Sequence, residues 1–583
     1  MYCSFLYRLS RFILQLSDGN VPVFAMFMCI AVSVVIARSL ASYEVLSDDM
    51  GVQIEAGYRL VAGLGLTHSS FEFVESLGDI TRPIQSKYLT HFPPFLSLYV
   101  AGALSLGLSL VTSLKLLFGF NTLVGWVGWA AIGSRILKRP IDLKFVTVPA
   151  HFVIAFFLPL FFTPQWQGTD IILWAGTPFV ILLLLYSLGN EQKQRYIVAA
   201  GLLCGFLYSV RYTSAYLAIT AFLIIAQFHC RHIKKFVGLY ATFMAASMVF
   251  ILPTVFYGEY AKEPTTGIAG QIRLDPNLVL GNLKNIIYSL HHRLPSSLSW
   301  ILAPIPHLDN SLFRLAFGVL SMAAILFLPL FIFFYNDRRK DEKEAGKPYL
   351  VTALSLAILS LLLFLILASA FMTKGLSINE YSFVTTWRYY IAIGGSPIFI
   401  LYWFCSQNTG KQWSVLSKGF FLLFIIGFIV YCLALSALAF LLPNKDSSAR
   451  IKRRLAYNVV GTALNRTYPS NEMVRPKKTI QVVQQLSAEE PEAILFITSY
   501  YNILFDNFNP QLRYFWIGSA KVVLKGAYVS KSTKVYFVLI RGEASAEDFS
   551  PILDKAGFQA FMSIPEDGVE IFSAQLPSGF SFE

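Results

Sequence analysis

Long apolar runs alternate with short polar linkers over the first three quarters of the chain, after which the sequence becomes polar. Candidate runs lie near residues 20–42, 93–112, 116–134, 145–163, 171–187, 197–210, 213–229, 236–257, 311–335, 349–371, 389–405 and 419–442. About 20 apolar residues in a helix cross the hydrocarbon core of a bilayer. The pattern therefore predicts a mainly α-helical, polytopic transmembrane module at residues 1–442 and a polar region at 443–583.

Basic residues concentrate in the linkers and predict the topology. They cluster within residues 135–144, 193–195, 231–235, 338–347 and 411–418. Such clusters mark cytoplasmic loops. With a cytoplasmic N-terminus and a retained first helix, 93–134 crosses once, so the segment starting with HFPPF becomes an interfacial or re-entrant helix. The run from 197 to 229 becomes a hairpin with Arg211 at its tip.

This charge parity predicts about eleven spans, with the C-terminal region on the extracytoplasmic side. Two long outer loops result, at 43–92 and 258–310. The polar region contains strand-like runs at 494–500, 534–540 and 568–576, and helical spacing at 479–486 and 549–557. These patterns predict a small soluble α/β domain. It has no phosphate-binding or catalytic-triad signature, so a structural or acceptor-handling cap is its simpler interpretation.

Composition narrows the class of protein. The chain has 583 residues, 55% hydrophobic and 14% charged, with a net charge of +13. This is the balance of an integral, multi-pass membrane protein that contacts membrane lipids. Topology explains the positive charge, and no basic stripe with interleaved aromatic residues indicates nucleic acid. The six cysteines form neither a disulfide framework nor a zinc spacing.

Two adjacent carboxylates, Asp48 and Asp49, follow the first apolar run in the stretch SDDMGVQIEAGYRLVAGLGLT. Charge there gains nothing from the bilayer. The pair is suited to act as a base on an acceptor hydroxyl or amine, or to hold a divalent cation such as Mg or Mn. The alternative is a solvated helix end. An amphipathic helix is predicted to follow and to stop near Gly63, with Glu55 and Arg59 as a surface ion pair.

Cations and further polar residues at the same membrane face complete the candidate set. Arg211 interrupts the apolar hairpin and Arg388 lies at the mouth of a later helix. Both are suited to bind a phosphate, with snorkelling at the interface as the alternative. Asp170 opens an apolar helix, where a site role and helix capping are both open. The remaining candidates are Lys87, which is weaker, together with Glu380 and His91.

The order of these motifs resembles the GT-C membrane glycosyltransferases, closest to the dolichyl-phosphate-mannose-protein mannosyltransferase and aminoarabinose transferase branch. The resemblance covers roughly residues 20–405 and rests on the acidic pair, HFPPFLSLYVAGALSLG, GTDIILW, YIVAAGLLCGFLYSVRYTSAYLAI and WRYYIAIGGSP. It implies an inverting enzyme that takes a sugar from a polyprenyl-phosphate carrier and passes it to a lipid, glycan or protein acceptor.

The same resemblance implies residue roles. The acidic motif matches Asp48 and Asp49, and the arginine-tyrosine pairs look like Arg211 with Tyr212 and Arg388 with Tyr389. The pair reads Asp-Asp where the related branch often reads Asp-Glu, which leaves the base unassigned. A transporter or flippase of lipid-linked saccharides is the alternative function. Such a protein would carry ionisable residues at mid-membrane depth and repeat symmetry. A non-catalytic scaffold is a third interpretation.

Overall fold

The chain is described by a computed structural model, which covers thirteen ranges and four isolated positions. These are residues 48–68, 78–81, 87–89, 92–136, 169–189, 194–229, 231–260, 346–369, 477–497, 513–516, 526–540, 546–566 and 568–582, with 392, 393, 396 and 400. The predicted runs at 20–42, 145–163, 311–335 and 419–442 lie outside these residues, as does most of 389–405. The count of eleven spans therefore stays a prediction.

Helices dominate the described part of residues 48–369. They are α1 (Asp48–Val61), α2 (Phe95–Ser105), α3 (Leu110–Ile136), α4 (Asp170–Gly189), α5 (Gln194–Val210), α6 (Tyr216–His229), α7 (Ile233–Tyr260) and α8 (Gly346–Ser369). A 3-10 turn, Tyr212–Ala215, joins α5 to α6. Two short antiparallel strands, β1 (Thr67–His68) and β2 (Lys87–Tyr88), pair between α1 and α2.

Four segments of the described chain are long and apolar enough to cross a bilayer. They are Thr112–Gly133, Asp170–Leu188, Tyr212–His229 and Ile233–Gly258. These helices make the chain an integral membrane protein. By contrast, α2 has 11 residues, so it extends only about 16 Å. Pro93 and Pro94 precede it, where their missing backbone donors cost least. The short helix predicted after HFPPF is thus confirmed, while its depth in a membrane stays a prediction.

Helices α4 to α7 are joined by short connections and run back and forth, so the described bundle has two distinct ends. One end carries Arg135, whose guanidinium donates to the Tyr186 hydroxyl and lies 5.1 Å from the centre of that ring. Arg195 is the second residue of α5, at the same end. The other end carries Asp170 and Arg211. The first end of the bundle therefore carries arginines next to aromatic rings, and the second end carries the Asp170 carboxylate and the Arg211 guanidinium.

Small residues let the helices of the bundle approach closely. Gly201 and Gly205 lie four residues apart on α5, and a Cβ at either would overlap a carbonyl oxygen of α7, that of Phe243 or Ser247. Spacing of small residues by four is a common way for membrane helices to bring their backbones together. On α3, Gly125 leaves the space that the Trp174 ring occupies. The bundle is therefore held by direct backbone and ring packing.

The C-terminal region contains a mixed five-stranded sheet with helices. Its elements are α9 (Lys477–Glu489), β3 (Ile494–Ile497), β4 (Arg513–Trp516), β5 (Ala527–Tyr528), β6 (Thr533–Ile540), α10 (Ala546–Lys555), β7 (Gln559–Ile564), β8 (Val569–Leu576) and β9 (Ser581–Phe582). The strand order is β4-β3-β6-β8-β7, parallel around β3 and antiparallel around β8. Strands β5 and β9 form a separate antiparallel pair.

Alternate residues of the central strands face two different apolar clusters. On β6, Val535 and Phe537 cluster with Leu553 of α10. The intervening Tyr536 and Val538 belong with residues of α9, among them Val483. This alternation follows the two-residue period of a strand. The predicted α/β character is confirmed, and the predicted strands and helices lie at β3, β6, β8, α9 and α10. The boundary at residue 443 stays a prediction.

Candidate functional site

Arg211 lies at a break between two apolar helices. Helix α5 ends at Val210, and Arg211 has an extended backbone, with φ −158° and ψ 123°. Its amide still donates to the Leu207 carbonyl at 2.8 Å, and its own carbonyl accepts from the Ser214 amide at 3.0 Å. The backbone is thus bonded on both sides of the break. The predicted hairpin with Arg211 at its tip is present, and the side chain is held at a fixed place.

The guanidinium of Arg211 is paired with a carboxylate from another helix. Its Nε lies 2.6 Å from Oδ1 of Asp170, the first residue of α4. Only 8% of Arg211 and 3% of Asp170 is exposed. A carboxylate at the start of a helix is also stabilised by the helix dipole. Both residues were candidates from the sequence, and the structure brings them together in a buried ion pair.

Tyrosine side chains surround this break. The rings of Tyr208 and Tyr212 are 5.4 Å apart. At the far end of α7, the Tyr257 hydroxyl donates to the Leu66 carbonyl at 2.9 Å, and the same carbonyl accepts from the Leu89 amide at 3.0 Å. The loop between α1 and α2 is therefore bonded to the end of α7. Of these residues, Tyr212 was expected, whereas Tyr208 and Tyr257 were not singled out.

Helices α1 and α2 pack together at this loop. The Ser97 hydroxyl donates to the Gln53 carbonyl at 2.7 Å, and a Cβ at Gly57 would collide with α2. The Phe95 ring lies 5.1 Å from the Phe206 ring of α5, edge to face. Phe206 precedes Arg211 by five residues, or about 7 Å along a helix. The α1–α2 pair therefore lies near the end of the bundle that carries Arg211.

The prediction that Glu55 and Arg59 form a surface pair is wrong. Glu55 is fully buried and Arg59 is 5% exposed, while the Arg59 Nε donates to the Thr67 hydroxyl at 2.9 Å. The two residues are buried because α2 and β1 cover the side of α1 that the spacing left for solvent. Buried charges are retained only with polar partners, so α1 carries a polar face toward its neighbours.

The acidic pair begins α1. Asp48 and Asp49 are its first two residues, where the helix dipole favours carboxylates. Their side chains lie outside the described residues. The helix ends at Val61, and Gly63 follows with φ +77°, a value that glycine adopts without strain. The predicted helix and its stop are confirmed.

Other candidates fall partly or wholly outside the described residues. The backbone of Lys87 lies in β2, paired with His68, but its side chain is not described. His91, Glu380, Arg388 and Tyr389 lie outside the described ranges. Within those ranges, no group of three His, Cys, Asp or Glu side chains is placed to hold a metal ion. The divalent cation therefore stays a prediction that concerns Asp48 and Asp49.

Comparison with known proteins finds a likeness to solved structures only. No family model matches the chain, and no curated protein matches it. A similar solved structure is the apo crystal structure of ArnT from Cupriavidus metallidurans, with 12% sequence identity and a TM-score of 0.38, covering 94% of this chain and 97% of that chain. At this identity and TM-score the likeness is weak, and the function proposed below rests on the residues of this chain.

Proposed function

We propose that the chain is a membrane glycosyltransferase of the GT-C type, which transfers a sugar from a polyprenyl-phosphate donor to an acceptor at the extracytoplasmic face. The observation that carries the proposal is the buried pair of Arg211 with Asp170 at the break between α5 and α6. An arginine at the interrupted end of an apolar hairpin suits a ligand with an anionic head and a hydrocarbon tail.

Arginine fits the proposed donor for a physical reason. When the sugar departs, negative charge grows on the carrier phosphate, and a fixed cation stabilises that charge most where water is excluded. Asp170 lies against Nε of Arg211 and keeps the cation at this end of the bundle. A guanidinium presents its N–H groups in a planar fork that matches a phosphate. The buried Ser214 hydroxyl has no hydrogen-bond partner among the described residues, and it offers a further donor three residues away.

The acidic pair supplies the second half of the proposed chemistry. Asp48 or Asp49, at the start of α1, accepts a proton from the acceptor hydroxyl or amine as it attacks the sugar. The same two carboxylates have the oxygen ligands that Mg and Mn prefer, so a divalent cation is proposed to bind there. Lys87, Arg388, Tyr212 and Tyr389 are proposed to contact the donor phosphate, and Glu380 and His91 remain candidates.

The distribution of charge supports an enzyme over a transporter. A transporter is expected to place ionisable groups at mid-membrane depth. In the part of the chain that the structure describes, Asp170 begins its helix and Arg211 follows the end of its own. Both therefore lie at the same end of the bundle. This placement suits chemistry at a membrane surface.

A binding experiment tests the phosphate role directly. Purified protein is titrated with a long-chain polyprenyl phosphate and, separately, with the corresponding polyprenol, which lacks the phosphate. Wild type should bind the phosphate form more tightly, and Arg211→Met should remove most of that difference. Arg195→Met is the matched control, because Arg195 is an exposed cation near the other end of the bundle. Equal binding of the two lipids by wild type would contradict the donor assignment.

A transfer experiment tests the acidic pair. Membranes are supplied with labelled polyprenyl-phosphate sugar, and release of the carrier is measured for wild type, Asp48→Asn and Asp49→Asn. Losing a general base typically lowers the rate about 10²- to 10⁴-fold. We expect that loss in one of the two variants. Undiminished transfer in both variants would refute the assignment of Asp48 or Asp49 as the general base, regardless of the result of the binding experiment.

A further inference from the structure

A four-residue segment of the first outer loop, Gly78–Thr81, pairs with the C-terminal domain. The Ile80 amide donates to the Tyr528 carbonyl at 3.0 Å, and the Tyr528 amide donates to the Gly78 carbonyl at 2.8 Å. Asp79 and Tyr528 form a parallel bridge. Since Tyr528 also pairs with Ser581 of β9, the segment adds a third strand to the β5–β9 pair. We call residues 78–81 the strap.

Side chains reinforce this pairing. Oδ1 of Asp79 accepts from the Thr81 amide at 3.0 Å, from the Thr81 hydroxyl at 2.6 Å and from the Ser530 amide at 3.2 Å. The Thr81 and Ser530 hydroxyls are 2.7 Å apart. Desolvation alone would raise the pKa of Asp79, but hydrogen bonds with Ser530 and Thr81 outweigh it and hold the pKa below its usual value. The carboxylate is therefore charged when it bonds the strap to the domain.

An apolar side chain anchors the strap. Ile80 is 1% exposed and belongs to the same cluster as Phe496 and Phe537 of the central sheet. Burial of an isoleucine side chain contributes substantially to the free energy that holds the strap on the domain. The strap is thus part of the core of the C-terminal domain, although it lies about 450 residues earlier in the sequence.

The strap lies close in sequence to a proposed donor contact. From Thr81 to Lys87 there are six residues, which span at most about 20 Å when fully extended. Lys87 lies in β2, whose partner β1 follows α1, and the adjoining loop is bonded to Tyr257 of α7. The C-terminal domain is therefore tethered beside the end of the bundle that carries Arg211.

We propose that the C-terminal domain is a positioning unit for the site: through the strap it holds the loop that carries Lys87 beside the end of the bundle. Ile80, Asp79 and Ser530 are positioning residues, since they act through the loop and touch no reacting atom. The strap pairing stands on its own contacts. Its effect on donor binding rests on the function proposed above.

Disulfide trapping tests the pairing without any assay of function. Thr81→Cys and Ser530→Cys place two sulfur atoms where the hydroxyls now lie, within reach of a disulfide. A protease site is inserted near residue 443, so that the two fragments stay joined only when cross-linked. The matched control pairs Thr81→Cys with Phe561→Cys, because Phe561 is 43% exposed and its ring packs on Tyr536, on the other face of the sheet from Ile80.

Disulfide trapping should be rapid and nearly complete when Thr81→Cys is combined with Ser530→Cys, and it should stay at background when Thr81→Cys is combined with Phe561→Cys. Each single-cysteine variant measures the contribution of the native thiols. Equal yields from the two pairs would overturn the strap. Ile80→Ser and Ile80→Val give a second measurement, in which proteolysis within residues 69–77 should accelerate in the serine variant alone. Equal cleavage in both variants and wild type would also overturn it.

The positioning effect has its own readout. With polyprenyl phosphate as the probe, Ile80→Ser should raise Kd by about tenfold or more. This is the change expected when one charge-assisted contact to the phosphate is no longer held in place. Ile80→Val should keep Kd at the wild-type value. If Ile80→Ser binds polyprenyl phosphate as tightly as wild type while the Thr81–Ser530 cysteine pair still forms its disulfide, the positioning role is refuted. The pairing of the strap with the domain then still stands. Failure of wild type to prefer polyprenyl phosphate over polyprenol overturns the proposed function, and the trapping result is unaffected.

Discussion

Replacing Arg211 by methionine keeps most of the side-chain volume and removes the cation that Asp170 faces at 2.6 Å. Unit charges about 4 Å apart attract by ~4 kcal/mol at an effective dielectric constant of ~20. Removing one partner of a buried ion pair costs about 3 to 5 kcal/mol, because the other charge stays buried. At ~2 °C per kcal/mol for a large domain, Arg211→Met should lower the unfolding midpoint by roughly 6 to 10 °C.

A double-mutant cycle separates this pair from general damage. Thermal unfolding of the detergent-solubilised protein is followed for Arg211→Met, Asp170→Asn and the double variant. The double variant should be more stable than the sum of the single effects predicts by at least ~1.5 kcal/mol, since neither charge is then left alone. The control Arg195→Met should stay within ~0.5 kcal/mol. Additivity of the two single effects would refute the coupling that we infer from the geometry.

Three further outcomes are expected. Gly205→Ala should destabilise the protein by about 1 to 3 kcal/mol, because its Cβ would meet the Ser247 carbonyl of α7, whereas Gly238→Ala has open space and should be neutral or slightly stabilising in the same unfolding assay. The folded pKa of Asp79 lies below its ordinary value of 3.8, so its contribution is complete above that pH and is lost as pH falls through the folded pKa. The stability difference between wild type and Asp79→Asn in the same unfolding assay should therefore be constant from about pH 8 to pH 5 and shrink only in stronger acid. If the acidic pair holds a divalent cation, chelation should lower sugar transfer and added Mg or Mn should restore it, whereas activity that survives exhaustive chelation would remove the metal from the proposal.

Periodicity was sufficient to predict the elements of the C-terminal domain. The run KVYFVLI alternates between two apolar clusters and forms all of β6 after its first residue. The helix after the acidic pair and its stop at Gly63 were also predicted, because helical spacing and a left-handed glycine are local signals. In contrast, the two-residue strands and the exposed β7 give almost no pattern, so sequence alone does not reveal them.

Tertiary contacts explain what the sequence could not supply. Asp170 and Arg211 were each singled out, but their pairing depends on α4 and α5 lying side by side. Glu55 and Arg59 have the spacing of a surface pair, and only the packing of α2 and β1 shows that they are buried. The strap is the extreme case. Its four residues, Gly-Asp-Ile-Thr, have no periodicity, and their partners are far away in the sequence.

That separation has a consequence for biosynthesis. The Thr81 and Ser530 hydroxyls that meet in the strap are 449 residues apart, so at about 5 to 20 residues per second the ribosome needs roughly 20 to 90 s to deliver the partner. During this interval Ile80 has no apolar core to enter. The strap can therefore pair only after residue 530 has been synthesised, and chains that terminate earlier should leave Ile80 open to quality-control proteases.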